Sequence, residues 1–228
     1  MPTLLEVCVD TWRDAEIAAQ SGADRIELCA SLDQGGLTPP ELLMSQAAAL
    51  PVPVYAMIRP RGGDFVFDRD VLAQMERDIA AVRKAGLAGV VLGAQRAGEL
   101  DLAALERLVQ CSDGLGRTLH RVVDALDDPV AAVEQAITLG FERILTSGGA
   151  EKAIDGLDVI SSMVGVASGR ISIMPGAGIG PHNAASFLSI SGLSELHGSF
   201  SVPDPSGAQH TDPATVRAMR RLLDAQDI

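Results

Sequence analysis

Glu6, Cys8 and Asp10 occupy alternate positions of Leu4–Asp10, a stretch whose other face is Leu5, Val7 and Val9. Side chains alternate faces along a strand, so three reactive groups point one way. A carboxylate in such a place is costly unless it is paired or hydrogen-bonded. The pattern recurs. Arg25–Ala30 sets Glu27 and Cys29 against Ile26 and Leu28, and Val54–Pro60 brings Tyr55, Met57 and Arg59 to one side. Thr118–Asp124 aligns His120 with Asp124, and Glu195–Phe200 aligns Glu195, His197 and Ser199. Strand-end histidines beside carboxylates suit proton transfer. Glu27, Arg59, His120, Asp124 and His197 are therefore the candidate catalytic set, with His120 or His197 moving a proton and Glu27 orienting the imidazole.

Two further groups could bind. Arg59 and Arg61 stand just before a Gly62-Gly63 pair, and guanidinium forks suit carboxylate or phosphate ligands. Arg59 could instead neutralise Glu6 or Glu27. Met174-Pro175-Gly176-Ala177-Gly178 and Gly198-Ser199 each follow a strand, where backbone N–H groups can approach an anion. Arg61, Gly176, Gly178, Gly198 and Ser199 are thus the candidate anion-binding residues. Cys8 and Cys29, inward on neighbouring strands, are candidate ligands for Cu(I), which favours soft thiolates; buried core thiols are the alternative. His182 and His210 read as surface residues and Cys111 as incidental.

The elements that must position these groups alternate. Strand-like runs Leu4–Asp10, Arg25–Ala30, Val54–Pro60, Gly89–Gly93, Thr118–Asp124, Arg143–Ser147, Ile171–Pro175 and Glu195–Phe200 are each followed by a helical run. The most periodic helix is Asp68–Ala85, with Val71, Leu72, Met75, Ile79 and Val82 at helical spacing. Gly22, Gly86, Gly140 and Gly192 punctuate the returns from helix to strand. A doubly wound sheet uses the same elements. Eight β-then-α units without a linker favour closure into a single (β/α)8 TIM barrel spanning residues 1–228. Chemistry in such barrels sits at the C-terminal ends of the strands, where most of the candidates fall.

Composition sets the remaining bounds. A chain of 228 residues with 47% hydrophobic and 3% aromatic residues suits helices over parallel strands better than a β-sandwich. A net charge of −12 argues against nucleic acid as partner. No apolar run approaches the roughly 20 residues of a membrane span, and without a secretion signal the expected location is the cytoplasm. Three cysteines, an odd number, argue against a disulfide framework.

The motifs Glu-Val-Cys-Val-Asp (6–10), Gly-Ala-Asp-Arg-Ile-Glu-Leu-Cys (22–29), Gly-Gly-Leu-Thr-Pro (35–39), Met-Ile-Arg-Pro-Arg-Gly-Gly-Asp-Phe (57–65), His-Arg-x-x-Asp (120–124), Leu-Thr-Ser-Gly (145–148), Ile-Met-Pro-Gly-x-Gly (173–178) and Glu-Leu-His-Gly-Ser (195–199) together resemble the CutC family. Val122 and Val123 stand where that family usually has Ala-Phe, and Ala30 where it more often has Ser. The resemblance implies a TIM barrel, a cytoplasmic setting, a homo-oligomer (dimer or tetramer) and a role in copper homeostasis, with Cys8 and Cys29 matching the cysteines proposed to bind Cu(I). A copper role does not require the convergence of Glu27, Arg59, His120, Asp124 and His197. An enzyme of lyase, isomerase or hydrolase type acting on a small anionic or phosphorylated metabolite does, and a ligand-sensing barrel without turnover is the third reading.

Overall fold

The computed structural model describes residues 3–225. Eight parallel strands form one sheet: β1 (Leu4–Val9), β2 (Arg25–Leu28), β3 (Val54–Met57), β4 (Gly89–Leu92), β5 (Gly116–Leu119), β6 (Arg143–Thr146), β7 (Ser172–Pro175) and β8 (Glu195–Gly198). Ladder pairs join β8 to β1 and then every successive neighbour up to β7. β7 packs beside β8 to bring the ring round. Eight helices surround it: α1 (Trp12–Ser21), α2 (Glu41–Ala47), α3 (Arg69–Ala85), α4 (Leu102–Cys111), α5 (Ala132–Leu139), α6 (Leu157–Ala167), α7 (Ala184–Leu188) and α8 (Pro213–Asp224). This is the (β/α)8 barrel that the alternation of elements predicts.

Local chemistry explains where the elements start and stop. The Asp68 carboxylate accepts from the N–H groups of Asp70 and Val71 at the start of α3, which satisfies donors a helix leaves free at that end. Gly86 ends it at φ 79°, a left-handed conformation that favours glycine. Thr11 and Asp212 cap α1 and α8 in the same way.

The outward faces of the strands are largely apolar, Arg117 on β5 being an exception. Leu5, Val7, Ile26, Leu28, Val90, Leu92, Ile144 and Leu196 join one buried cluster with the inner faces of the helices. Inside the barrel the buried apolar cluster is small: Cys29, Tyr55, Met57 and Val91. Leu145 and Met174 add to it, and most of the remaining interior is polar or charged. Arg25 forms buried ion pairs with Glu6 and Glu195. Arg143 donates to Glu195 (3.2 Å) and to the Thr118 hydroxyl (3.2 Å). The Tyr55 ring packs against both guanidinium groups, 5.4 Å from that of Arg25 and 4.9 Å from that of Arg143. Its hydroxyl donates to Glu142 (3.1 Å). Glycine makes room for this ring: a Cβ on Gly116 would lie 2.0 Å from the Tyr55 hydroxyl, and one on Gly89 2.3 Å from the ring.

The structure departs from the sequence expectation in its loops. β5 stops at Leu119, and Arg121–Ala125 is a 3₁₀ turn. The His120 imidazole starts that turn by accepting from the Val122 N–H at 3.1 Å, so Asp124 leaves the strand register. Two short hairpins also join the barrel, Gln95–Arg96 with Glu99–Leu100 and Ser201–Pro203 with Gln209–Thr211. Among the described residues no helix is long and apolar enough to cross a membrane.

Candidate active site

The C-terminal mouth of the barrel opens into a cavity of about 730 Å³, within the range of small-molecule sites. Cys8, Glu27, Met57, Arg59, His120, Leu145 and His197 form its lower wall, and the loops after β7 and β8 its rim. The hairpin at 201–211 folds over one side. Its Thr211 N–H donates to Asp14 (2.9 Å), and His210 lies 3.4 Å from the same carboxylate. His210, its side chain 41% exposed, lines the outer part of the cavity.

Glu6, at the base, connects the charged layer to the cavity. It is fully buried, and burial alone would raise its pKa. The Arg25 charge and the His197 ring outweigh that and hold it at about 2. Glu6 Oε1 lies 2.8 Å from His197 Nδ1, so Glu6 fixes the imidazole. His197 Nε2 faces Glu27 at 3.7 Å. Burial would depress the His197 pKa, but the Cys8 sulfur and the Glu27 and Glu6 carboxylates hold it well above the ordinary value. Glu27 itself is pushed up to about 7, chiefly by burial, with Glu6 adding and His197 opposing. A carboxyl poised near neutral pH can both give and take a proton.

His120 works differently. Burial, and then the nearby Arg59 charge, lower its pKa to about 3, so the ring is neutral. Its Nδ1 accepts from Val122, which places the proton on Nε2. Arg59 crosses the loops and donates to the carbonyls of Gln34 (3.0 Å), Gly36 (3.3 Å) and Gly63 (2.8 Å). Phe65 locks both groups, 4.8 Å from the His120 ring and 4.7 Å from the Arg59 guanidinium. Among the described residues five buried side-chain polar atoms have no partner; Arg117 Nε and Ser172 Oγ lie away from the cavity, and the other three, Glu27 Oε1, Arg59 Nε and His120 Nε2, belong to residues that line it. Buried polar atoms are paired in the great majority of cases, so this concentration on one cavity marks a ligand site. Two fixed N–H donors and one proton-exchanging carboxyl can hold a ligand oxygen and move a proton beside it.

The remaining candidates fall elsewhere. Asp124 accepts from Arg121, Thr146, Ser147 and Gly149; it ties the loops after β5 and β6 together, behind the cavity wall. Arg61 turns outward to Asp64 and the Val66 carbonyl. Gly176 lies beneath the rim, where a Cβ would come within 2.6 Å of Leu145 and 3.0 Å of His197. Gly178, Gly198 and Ser199 line the cavity. Cys8, Glu27 and His197 bring one ligand atom each within 4.8 Å of one another. Cys29 is outside that group, and burial followed by the Glu27 charge pushes its thiol well above the ordinary range. Arg59 pairs with neither Glu6 nor Glu27; Arg25 neutralises Glu6. Sequence reading passed over Arg25 and His210. The lone basic residue opening a Glu-bearing strand was the signal available for the first, and nothing local marked the second.

Fold and site together define a (β/α)8 barrel with a charged interior and a ligand-sized, partly unsatisfied mouth. Comparison with known proteins narrows this. Residues 3–202 match the CutC family, and the chain belongs to it. A CutC family protein from Sinorhizobium medicae is 50% identical over 97% of this chain and 96% of its own length. One from Caulobacter vibrioides strain NA1000 is 53% identical over 89% of this chain and 83% of its own. The crystal structure of CutC from Streptococcus agalactiae, a protein named for copper homeostasis, superposes with a TM-score of 0.82 at 31% identity, covering 86% of this chain and 98% of that one.

Proposed function

We propose that the barrel mouth is the active site of an enzyme that transfers a proton on a small polar metabolite. Glu27 gives or takes the proton, and Arg59 and His120 hold the substrate oxygen on which charge develops. The observation that carries this reading is the convergence of three unpartnered buried atoms on one cavity. A polar interior kept for stability alone would be paired, as the Glu6–Arg25–Glu195–Arg143 layer is. Lyase, isomerase and hydrolase chemistry all need such a proton transfer. The test is a panel of small carbonyl, carboxylate and phosphorylated compounds incubated with the protein in D2O and followed by NMR. Glu27→Gln is expected to slow turnover of an active compound by about 10²–10⁴-fold while leaving its binding in place, and Arg59→Ala or His120→Ala to remove binding. A panel with no exchange and no thermal stabilisation by any member would refute the reading.

The Cys8–Glu27–His197 group supports a second reading, Cu(I) as cargo. Glu6 on His197 Nδ1 leaves Nε2 free and oriented, as carboxylate–histidine–metal arrangements require, and a thiolate beside it suits a soft ion. This moves the expected ligand set from Cys8 and Cys29 to Cys8, His197 and Glu27. An anaerobic Cu(I) titration against a competing chelator should show one-to-one binding that Cys8→Ser abolishes and Cys29→Ser spares. Binding indifferent to Cys8→Ser would sink it. A cytoplasmic location and homo-oligomeric assembly, implied by the family resemblance, belong to both readings, and light scattering tests the second.

A further inference from the structure

The cavity is large for the groups at its base, and its opposite rim has a different character. Ala177, Gly178 and Ile179 line it after β7, and Gly198 and Ser199 after β8. The chain takes the left-handed conformation at Ala177 (φ 86°) and at Gly178 (φ 74°), the first of which is unfavourable for a residue with a side chain. Among the described residues the N–H groups of Ala177, Gly178 and Ile179 donate to no protein acceptor, whereas Gly180 N–H next to them is bonded to Asn183. α7 starts too far along the chain to use them. The stem of Lys152 lies against Gly178, its Cγ 3.6 Å from where a Cβ would stand, and its ammonium enters no ion pair among the described residues. A chain of net charge −12 repels small anions, so an anion that enters must be met by local donors. This rim supplies backbone N–H groups and a hydroxyl, with the exposed Lys152 anchored by its stem beside Gly178.

We propose that the loops Ala177–Ile179 and Gly198–Ser199, backed by Lys152, form a phosphate subsite, and that the substrate is a small phosphorylated compound lying between this rim and the Glu27–Arg59–His120 base. The inference rests on the acid–base reading above and names its substrate class. A phosphate monoester carries about −1.5 to −2 charges on three outward oxygens, which a spread of N–H donors meets better than it meets a planar carboxylate. The unpartnered Arg59 Nε and His120 Nε2 in the same cavity require a ligand with a second polar end. A free phosphate ion fills only the rim.

The experiment is a titration of the full chain with inorganic phosphate, followed by calorimetry and by the 31P resonance, with acetate as comparison. Lys152 is exposed, so Lys152→Glu leaves the fold intact and is expected to weaken phosphate binding about tenfold, the effect of turning a close attraction into a repulsion. Gly178→Val, strained at positive φ, should weaken it as well. Absence of phosphate binding to the wild type, or binding indifferent to Lys152→Glu, overturns the subsite. Binding lost on Arg59→Ala but kept in Lys152→Glu also overturns it, by placing the anion at the base, and leaves the acid–base reading standing. Phosphate held at the rim with no proton transfer on any panel compound supports the subsite and sinks the enzyme.

Discussion

Replacing Glu27 by glutamine should make the protein more stable at neutral pH, by an amount that the structure sets. The carboxyl moves from a pKa of 4.5 in the unfolded chain to about 7 in the folded one. Below pH 4.5 both states hold the proton and the group contributes nothing. Between those limits the unfolded chain releases a proton that the folded chain keeps, so stability falls as pH rises. Over about 2.5 pH units at about 1.4 kcal/mol each, the loss reaches about 3 kcal/mol and then levels off. Glutamine keeps the shape and cannot titrate, so its curve lacks this fall. His197, whose pKa is raised, acts in a different window: its contribution is complete below its unfolded value of 6.5 and is lost only as pH climbs through the folded value. Urea unfolding at pH 4.5, 5.5, 6.5 and 7.5 separates the two. The advantage of Glu27→Gln over wild type should grow by about 3 kcal/mol across the series, or about 1 M in midpoint at a slope of about 3 kcal/mol/M. Parallel curves for the two proteins would refute the argument that burial holds Glu27 protonated. Sites that trade stability for chemistry behave in this way.

The charged layer and the Arg59 loop clamp give three more tests. Arg25→Met should cost about 3–5 kcal/mol by leaving Glu6 and Glu195 buried without their partner, read as a lower midpoint in urea. Gly116→Ala should destabilise by about 1–3 kcal/mol through its contact with the Tyr55 hydroxyl, and Tyr55→Phe in the same chain should recover part of that loss. Additive effects of the pair would contradict the clash. Arg59→Lys loses the fork that spans Gln34, Gly36 and Gly63, so limited proteolysis should cut faster within residues 34–63 while the urea midpoint moves little.

Much of this was legible in the chain because strand alternation is local. Leu5, Val7 and Val9 against Glu6 and Cys8 report a barrel strand by themselves, and eight such units leave few architectures. Partner choice is not local. Glu6 has Arg25 and His197 within reach, and only the closed ring shows that Arg25 rather than Arg59 neutralises it. Asp124 was misplaced because His120 caps a 3₁₀ turn with its own ring, so that the strand ends at Leu119, five residues before the aspartate. The extent of the polar interior was hidden by the glycines: Gly89 and Gly116 carry no pattern, yet their missing side chains admit the Tyr55 ring against which Arg25 and Arg143 both pack. Cys29 is equivalent to Cys8 by alternation, but its thiol, just beyond the end of β2, packs with Tyr55, Met57 and Val91 while still feeling the Glu27 charge, and it lies outside the Cys8–Glu27–His197 group.

The Glu6–Arg25–Glu195–Arg143 layer has a consequence for how the ring assembles. Each charge comes from a different strand or strand end, and each is neutral only when β1, β2, β6 and β8 meet in one register. A slip of one residue in β2 would turn Arg25 toward the helices and strand two carboxylates in the interior, a penalty that grows with every further shift. Apolar packing between sheet and helices would tolerate many near-misses. The ionic layer does not, and so works as a checksum on closure, rejecting rings whose strands are paired in the wrong place.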